Sequence, residues 1–283
     1  MTRISSALFL ATIFAAVPHL SSQASASKIA GELDKLRSLS AEKRPAATIK
    51  VATEISALPP GMEKVKLADG ASHLVTEGDQ GQEALQAVAD ALSKALAETP
   101  VPAKGDRPPM PYFDLASLVR YEHVNVTLAD PLYAKAQQAL ADEEAEVEKA
   151  DFTLKDLNNK SWTLSQLHSK IVVVNFWATW CLPCRAEMPI LDAIYTHYAN
   201  EGLVILSITD EDSFLVHSFL QSKSYHPPVL IDSGGSVHKL FHITGIPRSF
   251  VFGRDGKLVG EAIDQSTQRQ FFGLLGAAGL QPE

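Results

Sequence analysis

Cysteine is the scarcest informative residue in this chain. There are two in 283 residues, and both lie in one C-x-x-C, Cys181 and Cys184. No third cysteine is left for a structural disulfide, and a zinc site built from cysteines alone within one chain is excluded. Clustered positive charge is also missing. Lysine and arginine number 25 against 33 acidic residues, a formal net charge of -8. Binding to nucleic acid draws on counterion release by grouped cations, so no nucleic-acid partner is expected. Beyond the first residues, no apolar run approaches the roughly twenty residues that span a bilayer. Hydrophobic residues still make up 46% of the chain, which excludes overall disorder.

The beginning of the chain reads as an export signal. Arg3 is the only early charge, Ala7 to Val17 is a short apolar run, and Ala24-Ser25-Ala26 is a small-x-small cleavage site. Residues 1–26 are therefore expected to be a signal peptide cleaved after Ala26. The alternative is an uncleaved N-terminal membrane anchor beginning near Ile4. Both put the remainder outside the cytoplasm, in a periplasmic or other extracytoplasmic space.

Residues 27–99 are expected to be helical. Ile29, Leu33 and Leu36 recur at helical spacing, as do Ala47, Val51, Ile55 and Leu58, and then Leu85, Val88, Leu92 and Leu96. Residues 100–150 read as a proline-rich strap followed by a connecting helix. Five prolines fall between Pro100 and Pro111, which predicts an extended segment. Val124, Val126 and Leu128 alternate as in a short strand. Asp130-Pro131 then opens a helix, with Asp130 as cap and Pro131 in the first turn. The acidic run from Glu143 to Glu148 reads as a solvated helix face.

From Asp151 onward strands alternate with helices. Ile171 to Phe176 is a continuous apolar run, as a strand buried on both faces requires. Leu203 to Ile208 is a second such run. The order of elements predicts an α/β domain over residues 151–283, with helices on both faces of a central mixed sheet.

The cysteines sit where the Ile171–Phe176 strand hands over to a helix. The first cysteine at a helix N-terminus meets unpaired N–H groups and a favourable dipole, which lower its pKa and make it the attacking sulfur. The second, one turn in, resolves the mixed disulfide. Pro183 occupies the first turn without losing a helix hydrogen bond.

The segment Asn175-Phe176-Trp177-Ala178-Thr179-Trp180-Cys181-Leu182-Pro183-Cys184 with Pro189 resembles the active-site segment of thioredoxin-like proteins, closest to exported reductases of the TlpA/ResA type. Gly245-Ile246-Pro247, followed by Ser249-Phe250-Val251-Phe252, is similar to that family's cis-proline before a strand. The resemblance covers residues 151 to 280 and leaves 28 to 150 without a counterpart. It implies a thioredoxin-like fold and thiol-disulfide oxidoreductase activity, with no cofactor and no metal. It also implies disulfide-containing exported proteins as partners, apocytochrome c among them, and a membrane thiol donor that recharges the dithiol. Plain thioredoxin carries a buried aspartate where this chain has Asn175. The ResA type places a glutamate three residues past the second cysteine, and Glu187 matches it. Glu187 joins Cys181 and Cys184 as a candidate catalytic residue. Trp180, Ile246, Pro247 and Arg248 are the candidate substrate contacts.

Three other readings compete. A peroxiredoxin-like peroxidase places Pro-x-x-x-Thr-x-x-Cys at its site, whereas Thr179 here stands two residues before Cys181. Copper metallochaperones use C-x-x-x-C, one residue longer. A helical binding or adaptor protein with a secondary redox domain would put a partner on residues 28 to 110.

Overall fold

The computed structural model describes residues 17–281, with side chains from residue 23. The apolar run before residue 17 lies outside the described residues. The Ala24-Ser25-Ala26 site falls inside the first helix. Among the described residues no helix is long and apolar enough to cross a membrane.

Among the described residues, six helices precede the sheet: α1 (Val17–Leu36), α2 (Arg44–Ala57), α3 (Met62–Val75), α4 (Gln82–Glu98), α5 (Met110–Tyr121) and α6 (Pro131–Val147). They share one apolar core from Ala26 to Leu140, filled by Ile55, Leu92, Leu96, Tyr112 and Leu115. The sequence stripes identify α1, α2 and α4 but miss α3. The inward face of α3 mixes Val65, Leu67, Leu74 and Val75 with the small Ala68, Ala71 and Ser72 and the buried Lys64, so its hydrophobic contrast is weak. Lys64 is tolerated there because its Nζ meets Glu98 at 2.7 Å and the carbonyls of Ser56 and Leu58 at 2.9 and 3.0 Å.

Two further expectations are corrected. Pro111 does not belong to an extended strap, because α5 begins at Met110 and takes Pro111 into its first turn, where no helix amide is lost. No strand forms at Val124 to Leu128. That segment runs extended over the helical core, with Val124 buried and Val126 and Leu128 packed against it. Alternation describes any extended chain on an apolar surface, and no partner strand adjoins this one. The helix expected after Asp130 is present, with the Asp130 carboxylate accepting from the Leu132 amide at 2.7 Å.

The remainder is thioredoxin-like. A small hairpin, β1 (Thr153–Lys155) and β2 (Ser161–Thr163), leads into β3 (Ile171–Phe176), α7 (Leu182–Tyr198), β4 (Leu203–Thr209) and α8 (Ser213–Leu220). Then follow β5 (Val229–Ile231), α9 (Ser236–Leu240), β6 (Arg248–Phe252), β7 (Leu258–Ile263) and α10 (Gln268–Ala277). The sheet order is β5-β4-β3-β6-β7. β3, β4 and β5 run parallel, while β6 and β7 are antiparallel to their neighbours. Every residue of the central strand β3 is buried. On one face, Leu191 and Ile194 of α7 and Phe271 and Leu275 of α10 cover Val173, Ile205 and Val251. On the other, Phe241 and Val237 pack with Phe152, Val174 and Phe250.

The buried apolar residues of this half begin at Val147. Residues 151–283 are therefore expected to melt cooperatively when expressed alone. A fragment that starts before Val147 should be more stable by about 1–2 kcal/mol, because Val147 is otherwise lost from the core. Denaturant melts of the two fragments test this, and a non-cooperative transition in both would place the boundary elsewhere.

Candidate active site

Cys181 is the N-cap of α7, and Pro183 falls in the first turn. The two sulfurs form a disulfide with Cα atoms 5.3 Å apart. The Cys184 amide donates to Cys181 Sγ at 3.2 Å, so the first sulfur already faces an orphan helix amide that would stabilise a thiolate. Both cysteines are buried, yet their neighbours Trp180 and Leu182 are each 70% exposed. An apolar rim thus surrounds a covered disulfide.

The Ile246–Pro247 peptide bond is cis. The Ile246 carbonyl oxygen lies 3.8 Å from Cys181 Sγ, so elements 65 residues apart meet at one sulfur. The structure brings Cys181, Cys184 and Ile246 together, with the cis Pro247 next in the chain. It places Arg248 differently. The Arg248 guanidinium pairs with Glu261 of β7 at 2.6 and 3.1 Å and stacks over the rings of Tyr121 and Phe250. Burial beside a carboxylate fixes the arginine as a strut between β6, β7 and α5 instead of aiming it at a substrate.

Glu187 is 1% exposed on α7, three residues past Cys184. Its Oε1 accepts from the Ser266 amide at 2.8 Å, and its Oε2 from Asn175 Nδ2 at 3.4 Å. Asn175 Nδ2 also donates to Ser249 Oγ at 3.0 Å. None of these donors is charged. Burial pushes the carboxyl up to about 8, and Asp264 adds to the rise, against the opposing hydrogen bonds from Ser266 and Asn175. A carboxyl that titrates this close to neutral pH can both give up and take a proton there.

Sequence reading missed two groups around this centre. The Glu211 carboxylate accepts from the Thr179 amide at 2.5 Å and from its hydroxyl at 2.7 Å, and so anchors the loop that carries Trp180. Ser266 seats Glu187 from the turn before α10. Neither has a local signal, since each lies tens of residues from the cysteines in sequence.

Three histidines of the redox half each pair with a separate carboxylate: His226 with Asp192, His238 with Asp232 and His242 with Glu146. Among the described residues, the group that could hold a cation lies in the helical half. Asp69, His73 and Asp114 each bring one ligand atom within 4.8 Å of the others. Burial and the neighbouring Asp69 push Asp114 up to about 8, so one proton can relieve the repulsion between the two carboxyls.

Residues 146–260 match the model of the AhpC/TSA family. The thiol-disulfide oxidoreductase ResA of Bacillus cereus is 32% identical over 148 residues, covering 52% of this chain and 83% of the relative. The ResA of Bacillus subtilis is 34% identical over 110 residues, covering 38% of this chain and 62% of the relative. Among solved structures, a thiol:disulfide interchange protein of the thioredoxin family from Chlorobium tepidum is 27% identical with a TM-score of 0.42, covering 45% of this chain and 92% of that one. With a relative above 30% identity matched over most of its length, a disulfide at the start of α7 and the strand order of a thioredoxin, the chain belongs to the ResA-type thiol-disulfide oxidoreductases.

Proposed function

We propose that this oxidoreductase is an exported reductant of disulfides in extracytoplasmic proteins, with Cys181 attacking, Cys184 resolving and Glu187 handling the proton. The signal peptide read in residues 1–26 supplies the export. In the reduced protein, the Cys181 thiolate attacks one sulfur of a substrate disulfide and expels the other as a thiolate. The Cys184 sulfur then attacks Cys181 Sγ, its proton passes to the Glu187 carboxylate or to water, and the second substrate thiolate leaves. Two electrons pass to the substrate, and the Cys181–Cys184 disulfide remains. A membrane dithiol would restore it. Apocytochrome c is the substrate type that the family resemblance suggests. Trp180, Leu182 and the Ile246 backbone would take an extended substrate segment beside Cys181.

The direction of flow rests on the family resemblance, and an ionised Glu187 would favour it. A carboxylate beside the sulfurs disfavours thiolates, and a strong oxidant is one whose reduced form is stabilised. The measurement is an equilibrium reduction potential in glutathione buffers at about pH 7. A value below about -200 mV is expected, and one near the roughly -120 mV of a strong periplasmic oxidant would reverse the direction.

A further inference from the structure

The helical half has no counterpart in the resemblance, yet it reaches the redox centre through one short loop. Residues 264–266 connect β7 to α10, and the Ser266 amide in that loop seats Glu187 Oε1 at 2.8 Å. The same loop is gripped from the other side by residues 76–79, which follow α3. The Thr76 hydroxyl donates to Asp264 Oδ2, and the Gly78 amide donates to the Gln265 carbonyl at 2.7 Å. Arg269, in the first turn of α10, pairs with Asp79.

The gripping segment is itself rigidly held. Gln80 is buried, accepts from the Thr48 hydroxyl at 2.7 Å and donates to the Leu74 carbonyl at 2.6 Å. Arg44 ties the Leu74 carbonyl at 2.9 Å and Glu77 at 3.0 Å. Asp264 takes a left-handed φ of 57°, a conformation an aspartate holds only with support from its surroundings. A continuous series of hydrogen bonds thus runs from the core of the helical half, through residues 76–78 and 264–266, to the carboxyl beside Cys184.

We infer that the helical half tunes the redox centre, with Thr76 and Asp264 as positioning residues that hold the 264–266 loop against Glu187. This deepens the proposed function and rests on Glu187 as the proton-handling group. The titratable groups that interact with Glu187 are Asp264 from this loop and Tyr225 from the segment before β5, and Cys184 lies three residues before it on α7. The first two are half-buried and Glu187 itself is buried, so water is kept from the carboxyl as long as the loop stays seated.

The test uses the full chain. In the oxidised protein the sulfurs do not titrate, so the 13C carboxyl resonance of Glu187, assigned by its loss in Glu187→Gln, reports that group directly. The double variant Thr76→Val/Arg269→Met cuts both side-chain links and keeps the Gly78–Gln265 bond. Its Glu187 should titrate lower by about one unit or more, because a released loop admits water and relieves the burial. In the reduced protein, the pH profile of Cys181 alkylation should move with it. Thr76→Ser/Arg269→Lys keeps the donors and should restore the wild-type titration. In a Glu187→Gln background the double variant should leave the alkylation profile where it was. An unmoved Glu187 titration in the double variant overturns the inference, as does an alkylation shift that persists without Glu187. A wild-type Glu187 titrating in the ordinary carboxylate range would sink the Glu187 assignment first, and the inference with it.

Discussion

Cys184→Ala is expected to abolish turnover and to accumulate a covalent adduct with disulfide substrates through Cys181. Only Cys181 sits at the N-cap of α7, where its sulfur receives an amide hydrogen bond and the field of the helix start. It also lies against the Ile246 carbonyl, where an extended substrate strand would pair. Cys184 is one turn inside and nearly fully buried, so its thiolate is disfavoured and it meets a substrate sulfur only through Cys181. Without Cys184 the mixed disulfide has no intramolecular resolving thiol. The reaction then stops after one attack, and the adduct survives non-reducing electrophoresis. Cys181→Ala should form no such adduct and should also lose turnover, by several orders of magnitude for either variant, since neither keeps the second thiol that completes the exchange. Adducts that form in Cys181→Ala and fail in Cys184→Ala would exchange the two roles.

Glu187→Gln is expected to stabilise the oxidised protein, and increasingly so as pH rises. The carboxyl is raised from an ordinary 4.5 to about 8 in the folded chain, chiefly by burial. Below about pH 4.5 it is protonated in both folded and unfolded states and contributes no difference. Between these values the folded state keeps a proton that the unfolded state releases, so wild-type stability falls with rising pH, by at most about 1.4 kcal/mol per unit. Above about pH 8 the penalty is complete and amounts to a few kcal/mol, on the order set by a shift of this size. Glutamine has no proton to lose and escapes it. It can still accept from the Ser266 amide, and a flip of the Asn175 amide lets its own N–H₂ find an acceptor. Urea melts of both oxidised proteins between about pH 4 and 9 should diverge through that window. Parallel curves would mean that Glu187 titrates in the ordinary carboxylate range, too low to hold a proton near neutral pH, and the proton-handling group would have to be sought elsewhere. In the reduced variant, Cys181 is expected to titrate lower and disulfide reduction to slow near neutral pH, because the nearby negative charge and the proton-accepting group are both gone.

Much of the redox half is legible along the chain because its signals are local. A six-residue apolar run specifies a strand buried on both faces, and a C-x-x-C with Pro183 immediately after it specifies a reactive sulfur at a helix start. The cis-proline and Glu187 are legible only through resemblance. No spacing rule says that Pro247, so far along the chain from Cys184, returns to the sulfurs, or that an acid in the first turns of a helix is buried. In the helical half the stripes of α1, α2 and α4 are strong enough to read. α3 is not, because small residues and a satisfied buried lysine blur its inward face. The segment from Val124 to Leu128 shows the opposite error: its alternation is real, but no neighbouring strand completes it.

What the sequence determines by itself is the chemistry at hand: one pair of cysteines, no other thiol, and a helix start that activates the first of them. What tertiary structure decides is the surroundings that set how that chemistry runs. Arg248, two residues from Ile246, is taken up by Glu261 and Tyr121, which lie on β7 and α5. Glu187 owes its raised pKa to burial under a loop that residues 76–79 hold from the other half of the molecule. Burial and long-range pairing depend on which segments meet in space, and that follows from packing the whole chain at once, not from the neighbours of a residue along it.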